Sequence, residues 1–113
     1  TDPKADQLEN LVALHLLRRY GFNDRVFFYR RDVEVDFYLP DEETAIQVCV
    51  KLATDPKTLE REVDALEKLS KELPVKRCII VTMEEERTIE SNGRTIEVVP
   101  VWKWLLTEAS GKQ

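Results

Sequence analysis

The sequence predicts an α/β domain built on a mixed sheet with helices packed against it. Three short apolar runs with strand-like alternation follow an apolar helical segment, and three such strands in succession favour an antiparallel start. A second helix then leads to a nearly continuous apolar run, which is typical of a buried parallel strand reached by a crossover. The predicted order is therefore α-β-β-β-α-β, followed by a C-terminal hairpin and a short helix.

The first helix is predicted over Lys4 to Tyr20. The segment is too apolar all round for a surface helix, which indicates packing on a sheet. Gly21 follows directly, and a glycine at this position commonly ends a helix. The apolar side chains of the segment are Leu8, Leu11, Val12, Leu14, Leu16 and Leu17.

The first two strands should form a hairpin. The run from Arg25 to Arg30 is rich in aromatic and β-branched residues, and the chain should turn near Arg31 and Asp32. The second strand, Val33 to Leu39, alternates cleanly. One of its faces carries Val33, Val35, Phe37 and Leu39, and the other carries Glu34, Asp36 and Tyr38.

The third strand is predicted over Thr44 to Leu52, where alternation resumes after a polar loop. Its polar face carries Gln47, Cys49 and Lys51, opposite an apolar face of isoleucine, valine and leucine. Because residues two apart in a strand point the same way, about 7 Å apart, the polar groups of neighbouring strands can converge on one patch.

The second helix should begin at Asp55 and Pro56, which are an N-cap acceptor followed by a proline at the first helical position. It should continue to about Leu73 and stop at Pro74. The strand from Arg77 to Thr82 should then lie parallel to the third strand.

The C-terminal part should consist of a hairpin and a short helix. The hairpin turns at Asn92 and Gly93, a strong two-residue turn signal. The short helix covers Pro100 to Thr107. We expect three of its side chains to cap the core: Trp102, Leu105 and Leu106.

Length and composition limit the function classes. The 113 residues, 42% apolar and 35% charged, match one domain spanning residues 1–113. No apolar run approaches the roughly 20 residues that cross a bilayer, so we expect a cytoplasmic protein with no membrane partner. A net charge of -5 argues against a protein that coats nucleic acid through a basic surface. This charge still allows a small local basic groove. Cys49 and Cys78, the two cysteines of the chain, should be reduced core residues.

Two carboxylates and a lysine suggest phosphodiester chemistry. Glu34 and Asp36 share one strand face, and Gln47 and Lys51 share a face of the next strand. Oxygen ligands of this kind suit Mg²⁺ or Mn²⁺, and a lysine can orient a water or offset charge. Glu9, an acid on an apolar helical row, could supply a further carboxylate. Ordinary solvated positions are the alternative for all of these side chains, and for Glu9 the positive end of the helix dipole is another.

The order of these elements resembles a known nuclease superfamily. The segments LENLVALHLLRR, VFFYRRDVEVDFYL, AIQVCVKL, ALEKL, RCIIVT and IEVVPVWKWLL are together similar to the PD-(D/E)XK nucleases. They look most like the nuclease-like C-terminal domain attached to archaeal and bacterial P-loop ATPases of the AAA type. The resemblance covers about Leu8 to Leu106 and implies a restriction-endonuclease-like core of α-β-β-β-α-β. A chain that begins with Thr1 fits a segment excised from the C-terminal part of such an ATPase.

The resemblance assigns roles by position. Asp36 takes the place of the metal-binding aspartate, Gln47 that of the second ligand and Glu9 that of the helix glutamate. The pattern departs at Gln47-Val48-Cys49, where active members have Glu-x-Lys, because the amide lowers the negative charge and Cys49 supplies no cation. Lys51 is the candidate replacement, one strand period further along.

Three functions follow from this pattern. The first is a nuclease-fold accessory domain with a degenerate catalytic site that recognises nucleic acid or protein, with the ATPase part of its parent chain as a partner. The second is a Mg²⁺- or Mn²⁺-dependent endodeoxyribonuclease in which Asp36, Gln47 and Lys51 are catalytic and Asp36, Gln47, Glu9 and Glu34 hold the metal. The third is an oligomerisation or docking module. Arg30 and Arg31 are candidate phosphate contacts on DNA.

Overall fold

Three helices and six strands make up the described chain. The computed structural model describes residues 3–21, 25–31, 33–52 and 55–111. In chain order the elements are α1 (Pro3–Tyr20), β1 (Phe27–Arg30), β2 (Glu34–Leu39), β3 (Thr44–Val48), α2 (Pro56–Glu72), β4 (Arg77–Thr82), β5 (Arg87–Ser91), β6 (Arg94–Pro100) and α3 (Val101–Gly111).

The strands form one mixed sheet in the order β1-β2-β3-β4-β6-β5. β2 is antiparallel to both of its neighbours, β1 and β3, and β5 is antiparallel to β6. β4 lies parallel to both β3 and β6, as expected after a helical crossover. The predicted α/β class, mixed sheet and element order are therefore confirmed. The predicted turn at Asp32 lies outside the described residues.

Helices cover both faces of the sheet. On one face, α2 packs Val63, Leu66 and Leu69 onto side chains from β2, β3, β4 and β6. On the other face, Val12 and Leu16 of α1 and Trp104 of α3 pack onto a second set. The strands thus have apolar side chains on both sides, which explains the nearly continuous apolar run of β4. None of the described helices is long and apolar enough to cross a membrane.

A few neighbouring residues determine the start of α2 and the turn between β5 and β6. Asp55 caps α2, because its Oδ1 accepts the Lys57 N–H at 3.0 Å and Pro56 occupies the first turn, where a missing N–H is harmless. The β5–β6 turn has positive φ at Asn92 (51°) and Gly93 (76°), the combination that a type I′ hairpin requires.

A bulge in β2 corrects one expectation about its faces. β1 and β2 pair as Phe27 with Tyr38 and Tyr29 with Val35, so Phe28 alone lies opposite the two residues 36 and 37. One extra residue in a strand turns the following side chains to the other face. Val33 and Val35 therefore belong to the α2-side core, whereas Phe37 and Leu39 belong to the α1-side core. The prediction that all four share one face was wrong.

Two boundaries also differ from expectation. β3 ends at Val48 rather than Leu52, where the Val48 N–H donates to the Asp36 side chain instead of to the backbone of β2. α3 is longer than predicted, and a different face of the helix packs against the core. Trp104 is its buried tryptophan, while Trp102 and Leu106 are 58% and 63% exposed, so the prediction that these two cap the core was wrong.

Candidate functional site

A hollow opens where β2 and β3 separate, between α1 and α2. Backbone pairing of the two strands reaches Phe37 and Ile46 and goes no further toward Asp36 and Gln47. The resulting cavity has a volume of about 530 Å³. We call it the Asp36 hollow; its lining includes Ala5, Glu9, Val33, Glu34, Asp36, Gln47, Val48, Lys57, Glu60, Arg61, Glu62, Asp64, Ala65 and Lys68.

The side chain of Gln47 replaces the missing backbone pairing. Its Oε1 accepts the Asp36 N–H at 2.9 Å, and its Nε2 donates to the Glu34 carbonyl at 3.2 Å. Gln47 is buried, with 2% of its surface exposed. Both ends of the amide are therefore committed to β2, and we call this pair of bonds the Gln47 clamp. A carboxylate could accept from Asp36 but could not donate to Glu34, so the clamp requires the amide.

Asp36 lies at the point where β2 and β3 separate, and its side chain is fixed there by a hydrogen bond. Its Oδ2 accepts the Val48 N–H at 2.7 Å. The pKa of Asp36 is raised to about 6, chiefly by burial; Glu9 and Glu34 contribute to the rise, while the Val48 bond and Arg30 oppose it. Asp36 is thus a half-buried carboxyl group that titrates near neutral pH.

Glu62 on α2 is a second carboxyl group with a raised pKa in this hollow. Burial is the main cause, the charge of Asp36 adds to it, and Arg61 partly opposes both, which together bring the pKa of Glu62 to about 7. The Arg61 Nε lies 3.7 Å from Glu62 Oε2, and the Glu62 side chain is 14% exposed. Two acids of raised pKa in one cavity are characteristic of functional sites, although structural networks can produce the same effect.

The other predicted acids also line the hollow. Glu9 approaches from α1, and its Oε2 lies 3.7 Å from Arg30 Nη2. Glu34 is exposed, and its backbone carbonyl, rather than its carboxylate, takes part in the Gln47 clamp. The structure therefore brings Asp36, Gln47 and both glutamates to one cavity, with Arg30 at its border.

The donor set of the hollow fits a divalent cation poorly. The carbonyl oxygen of Gln47 already accepts a backbone N–H, and one oxygen of Asp36 accepts another. Within the described ranges, no three aspartate, glutamate, histidine or cysteine side chains come close enough together to hold a metal ion. Mg²⁺ in proteins is usually held by one or two carboxylates together with several waters, and here an oxygen of Asp36 and the oxygen of Gln47 are already engaged by backbone N–H groups.

Lys51 does not lie in the Asp36 hollow. It lines a separate, mainly apolar cavity of about 380 Å³ together with Leu8, Leu11 and Met83. β3 ends before Lys51. The prediction that Lys51 points toward Asp36 assumed a regular strand up to Leu52, and the backbone is no longer a strand at Lys51. The cations that do line the Asp36 hollow come from α2: Lys57, Arg61 and Lys68.

Cys49 directly follows the last residue of β3, Val48. Its side chain packs against the α2-side core, and its Sγ lies 3.3 Å from the Lys51 carbonyl. Burial raises the pKa of Cys49 to about 11, and Glu62 and Glu85 add to the shift. The thiol is therefore neutral and poorly nucleophilic, in agreement with a reduced, inert cysteine.

Glu62 was not among the predicted site residues, although its place in the helix gives a signal. Glu62 lies three residues after Leu59 and four before Leu66, on the apolar row that α2 turns toward the sheet. An acid on a buried row is unusual unless it is paired or functional, and the same argument had singled out Glu9.

Comparison with known proteins identifies a family but not an activity. Residues 6–104 match the domain of unknown function DUF4143, which typically occurs in the C-terminal region of AAA-type ATPases. An uncharacterized protein of Methanocaldococcus jannaschii is 42% identical over 110 residues, covering 88% of this chain and 24% of that protein. The chain thus spans about a quarter of the length of this relative. No solved structure matches. The extent of the family match shows that this chain belongs to the DUF4143 family.

Proposed function

We propose that this domain is a nuclease-like accessory domain of a P-loop ATPase whose catalytic site is degenerate and serves nucleic-acid recognition. The observation that carries the proposal is the Gln47 clamp. The side chain at the position of a metal-binding glutamate is an amide, and both of its ends are used to join β3 to β2. A residue that holds two strands together is no longer available as a ligand.

Other features of the site agree with this role. Cys49 is neutral at the position of the lysine, and Lys51 lies in another cavity. The hollow carries three cations of α2, Lys57, Arg61 and Lys68, among six carboxyl side chains. We therefore place the phosphate contacts at Arg30 and Arg31 beside it, where binding needs no hydrolytic chemistry. The order α-β-β-β-α-β and the typical occurrence of the family in AAA-type ATPases support a restriction-endonuclease-like ancestry and an ATPase partner.

A cleavage assay tests this function. Single-stranded, duplex and branched DNA are incubated with the domain and Mg²⁺ or Mn²⁺, beside an Asp36→Ala variant. We expect equal background cleavage from both proteins. Cleavage that the parent protein shows and Asp36→Ala lacks would refute a degenerate site.

A metal-dependent endonuclease is the second candidate, and one observation favours it. Asp36 and Glu62 share the hollow, and burial holds the pKa of each well above its usual range. A cation that entered would relieve the cost of ionising both groups, so Glu62 could take the place of the lost glutamate. Titration calorimetry with millimolar Mg²⁺ or Mn²⁺ separates the candidates. Binding that is lost in both Asp36→Asn and Glu62→Gln supports the enzyme, and no binding excludes it.

A further inference from the structure

We propose that the edge strand β1 is a stacking platform for unpaired nucleotides, with Arg30 and Arg31 as its phosphate contacts. The inference rests on the proposed role in nucleic-acid recognition and names its substrate class as single-stranded nucleic acid. Its evidence is the exposure, placement and charge of the β1 side chains.

Two neighbouring phenylalanines of β1 are exposed. Phe27 is 41% and Phe28 53% exposed, although large aromatic side chains normally contribute most by burial. The Phe28 ring lies 5.3 Å from that of Phe37, centroid to centroid and tilted by 50°. Phe28 is thus supported on one side and open on the other, which is the arrangement on which a base can stack.

Arginines lie directly beside these rings. Arg30 is two residues from Phe28 on the same strand face, about 7 Å along, and Arg31 follows at the strand end. Both are exposed, and Arg31 forms no ion pair with any residue that the structure describes. Guanidinium groups suit phosphate because they offer several donors in a planar fork. A base on Phe28 and its phosphate near the arginines would use both features.

The same strand borders a cavity and connects to the hollow. A cavity of about 560 Å³ is lined by Phe27, Phe28, Tyr29, Arg30, Arg31, Glu72 and Leu73. Its one carboxylate, Glu72, already accepts a hydrogen bond from the Tyr29 hydroxyl. Arg30 reaches Glu9 of the Asp36 hollow at 3.7 Å. The hollow beyond Arg30 carries six carboxyl side chains and three cations, so we expect the bound strand to end at Arg30.

Single strands fit this surface better than duplexes. The bases of a duplex are stacked on each other and present only their edges in the grooves, whereas unpaired bases offer their ring faces. The open Phe28 ring, with Arg30 on the same face of β1, matches one ring face and a neighbouring phosphate. The overall charge of -5 restricts such binding to this local cationic stretch, which predicts short occupied sites rather than general coating.

Fluorescence anisotropy with a labelled oligothymidylate of about 10 nucleotides tests the platform at about 50 mM salt, where phosphate contacts are strong. Phe28→Ala should weaken binding about tenfold, within the range for loss of one stacked base. Phe28→Tyr, which keeps the ring, should bind like the parent. Arg31→Ala should weaken binding and lower the slope of log K against log salt by about 0.7. Trp102→Ala removes a similarly exposed aromatic ring on α3 and should leave the binding of the oligonucleotide unchanged.

Three results would overturn the inference: no anisotropy change with the parent protein, equal affinity for a duplex of the same length, or equal losses in Phe28→Ala and Trp102→Ala. If the β1 edge binds an extended peptide instead, the parent protein will show no anisotropy change with the oligonucleotide. The proposed function fails separately, because Asp36-dependent cleavage would refute the degenerate site even where Phe28-dependent binding persists. Absent binding without cleavage would overturn only the platform.

Discussion

Gln47→Glu replaces the amide of the Gln47 clamp by a carboxyl group, and we expect it to destabilise the domain. The buried amide Nε2 donates to the Glu34 carbonyl at 3.2 Å. An ionised glutamate cannot donate, so it would leave that carbonyl without its partner and face it with a second acceptor. The new carboxylate would also lie in the cavity that already holds Asp36 and Glu62.

The magnitude follows from these losses. A buried polar group left without its partner costs about 1–3 kcal/mol, and burial of a charge adds to this until the carboxyl group binds a proton. We therefore expect a loss of about 3–4 kcal/mol in the free energy of unfolding at pH 8. A protonated glutamate can donate to Glu34, so the folded-state pKa of the new group lies above its unfolded value of about 4.3. Its penalty is then small near pH 4–5 and grows as the pH rises through the folded pKa.

Urea denaturation of the parent protein and the variant at pH 5 and pH 8 measures this. Gln47→Met is the matched control, because it removes both bonds of the Gln47 clamp without adding a charge. Its cost of about 2 kcal/mol should be the same at both pH values, whereas the Gln47→Glu cost should rise from about 1 to about 3–4 kcal/mol. If Gln47→Glu is as stable as the parent at pH 8, or if its cost does not change with pH, then the clamp does not hold the strands as described.

Three further outcomes are expected. Glu62→Gln should stabilise the domain by up to about 3 kcal/mol at pH 8 and by little at pH 4. The reason is that the pKa of Glu62 rises from 4.5 to about 7 on folding, so the parent loses stability as the pH rises across that interval. A stability difference between the two proteins that is the same at pH 4 and pH 8 would contradict this. Tyr38→Phe should cost about 1–2 kcal/mol, since the buried hydroxyl donates to the Pro74 carbonyl at 2.6 Å, and an unchanged midpoint in urea would show that this bond contributes nothing. With the pKa of Cys49 raised to about 11, iodoacetamide should label the native thiol at pH 8 far more slowly than the denatured one, and comparable rates by mass spectrometry would place Cys49 in water.

The sequence was informative where local patterns determine structure. The Asp55 and Pro56 start of α2 and the Asn92 and Gly93 turn depend on a few neighbouring residues, and both occur as predicted. The apolar run of β4 indicated a strand covered on both faces. These elements needed no knowledge of distant partners.

The candidate site was only partly predictable, because its geometry depends on how strands meet. Val33 to Leu39 alternates without interruption, so nothing in β2 itself reveals that Phe28 of β1 faces two of its residues. The end of β3 at Val48 arises from a bond to Asp36, and that bond in turn requires the strands to separate. Lys51 was placed near Asp36 on the assumption of a regular strand, and the irregular backbone after Val48 removes that assumption.

The bulge in β2 also has a consequence for how this domain can vary. Val35 belongs to the core under α2 beside the Asp36 hollow, and Phe37, two residues later, belongs to the core under α1 and α3. A single six-residue strand thus serves two compartments that meet at Asp36. Tyr38, after the bulge, also belongs to the core under α2, so the segment after the bulge contributes to both layers. A change in the pairing of β1 with β2 would therefore alter the chemistry of the hollow and the packing under α1 and α3 together.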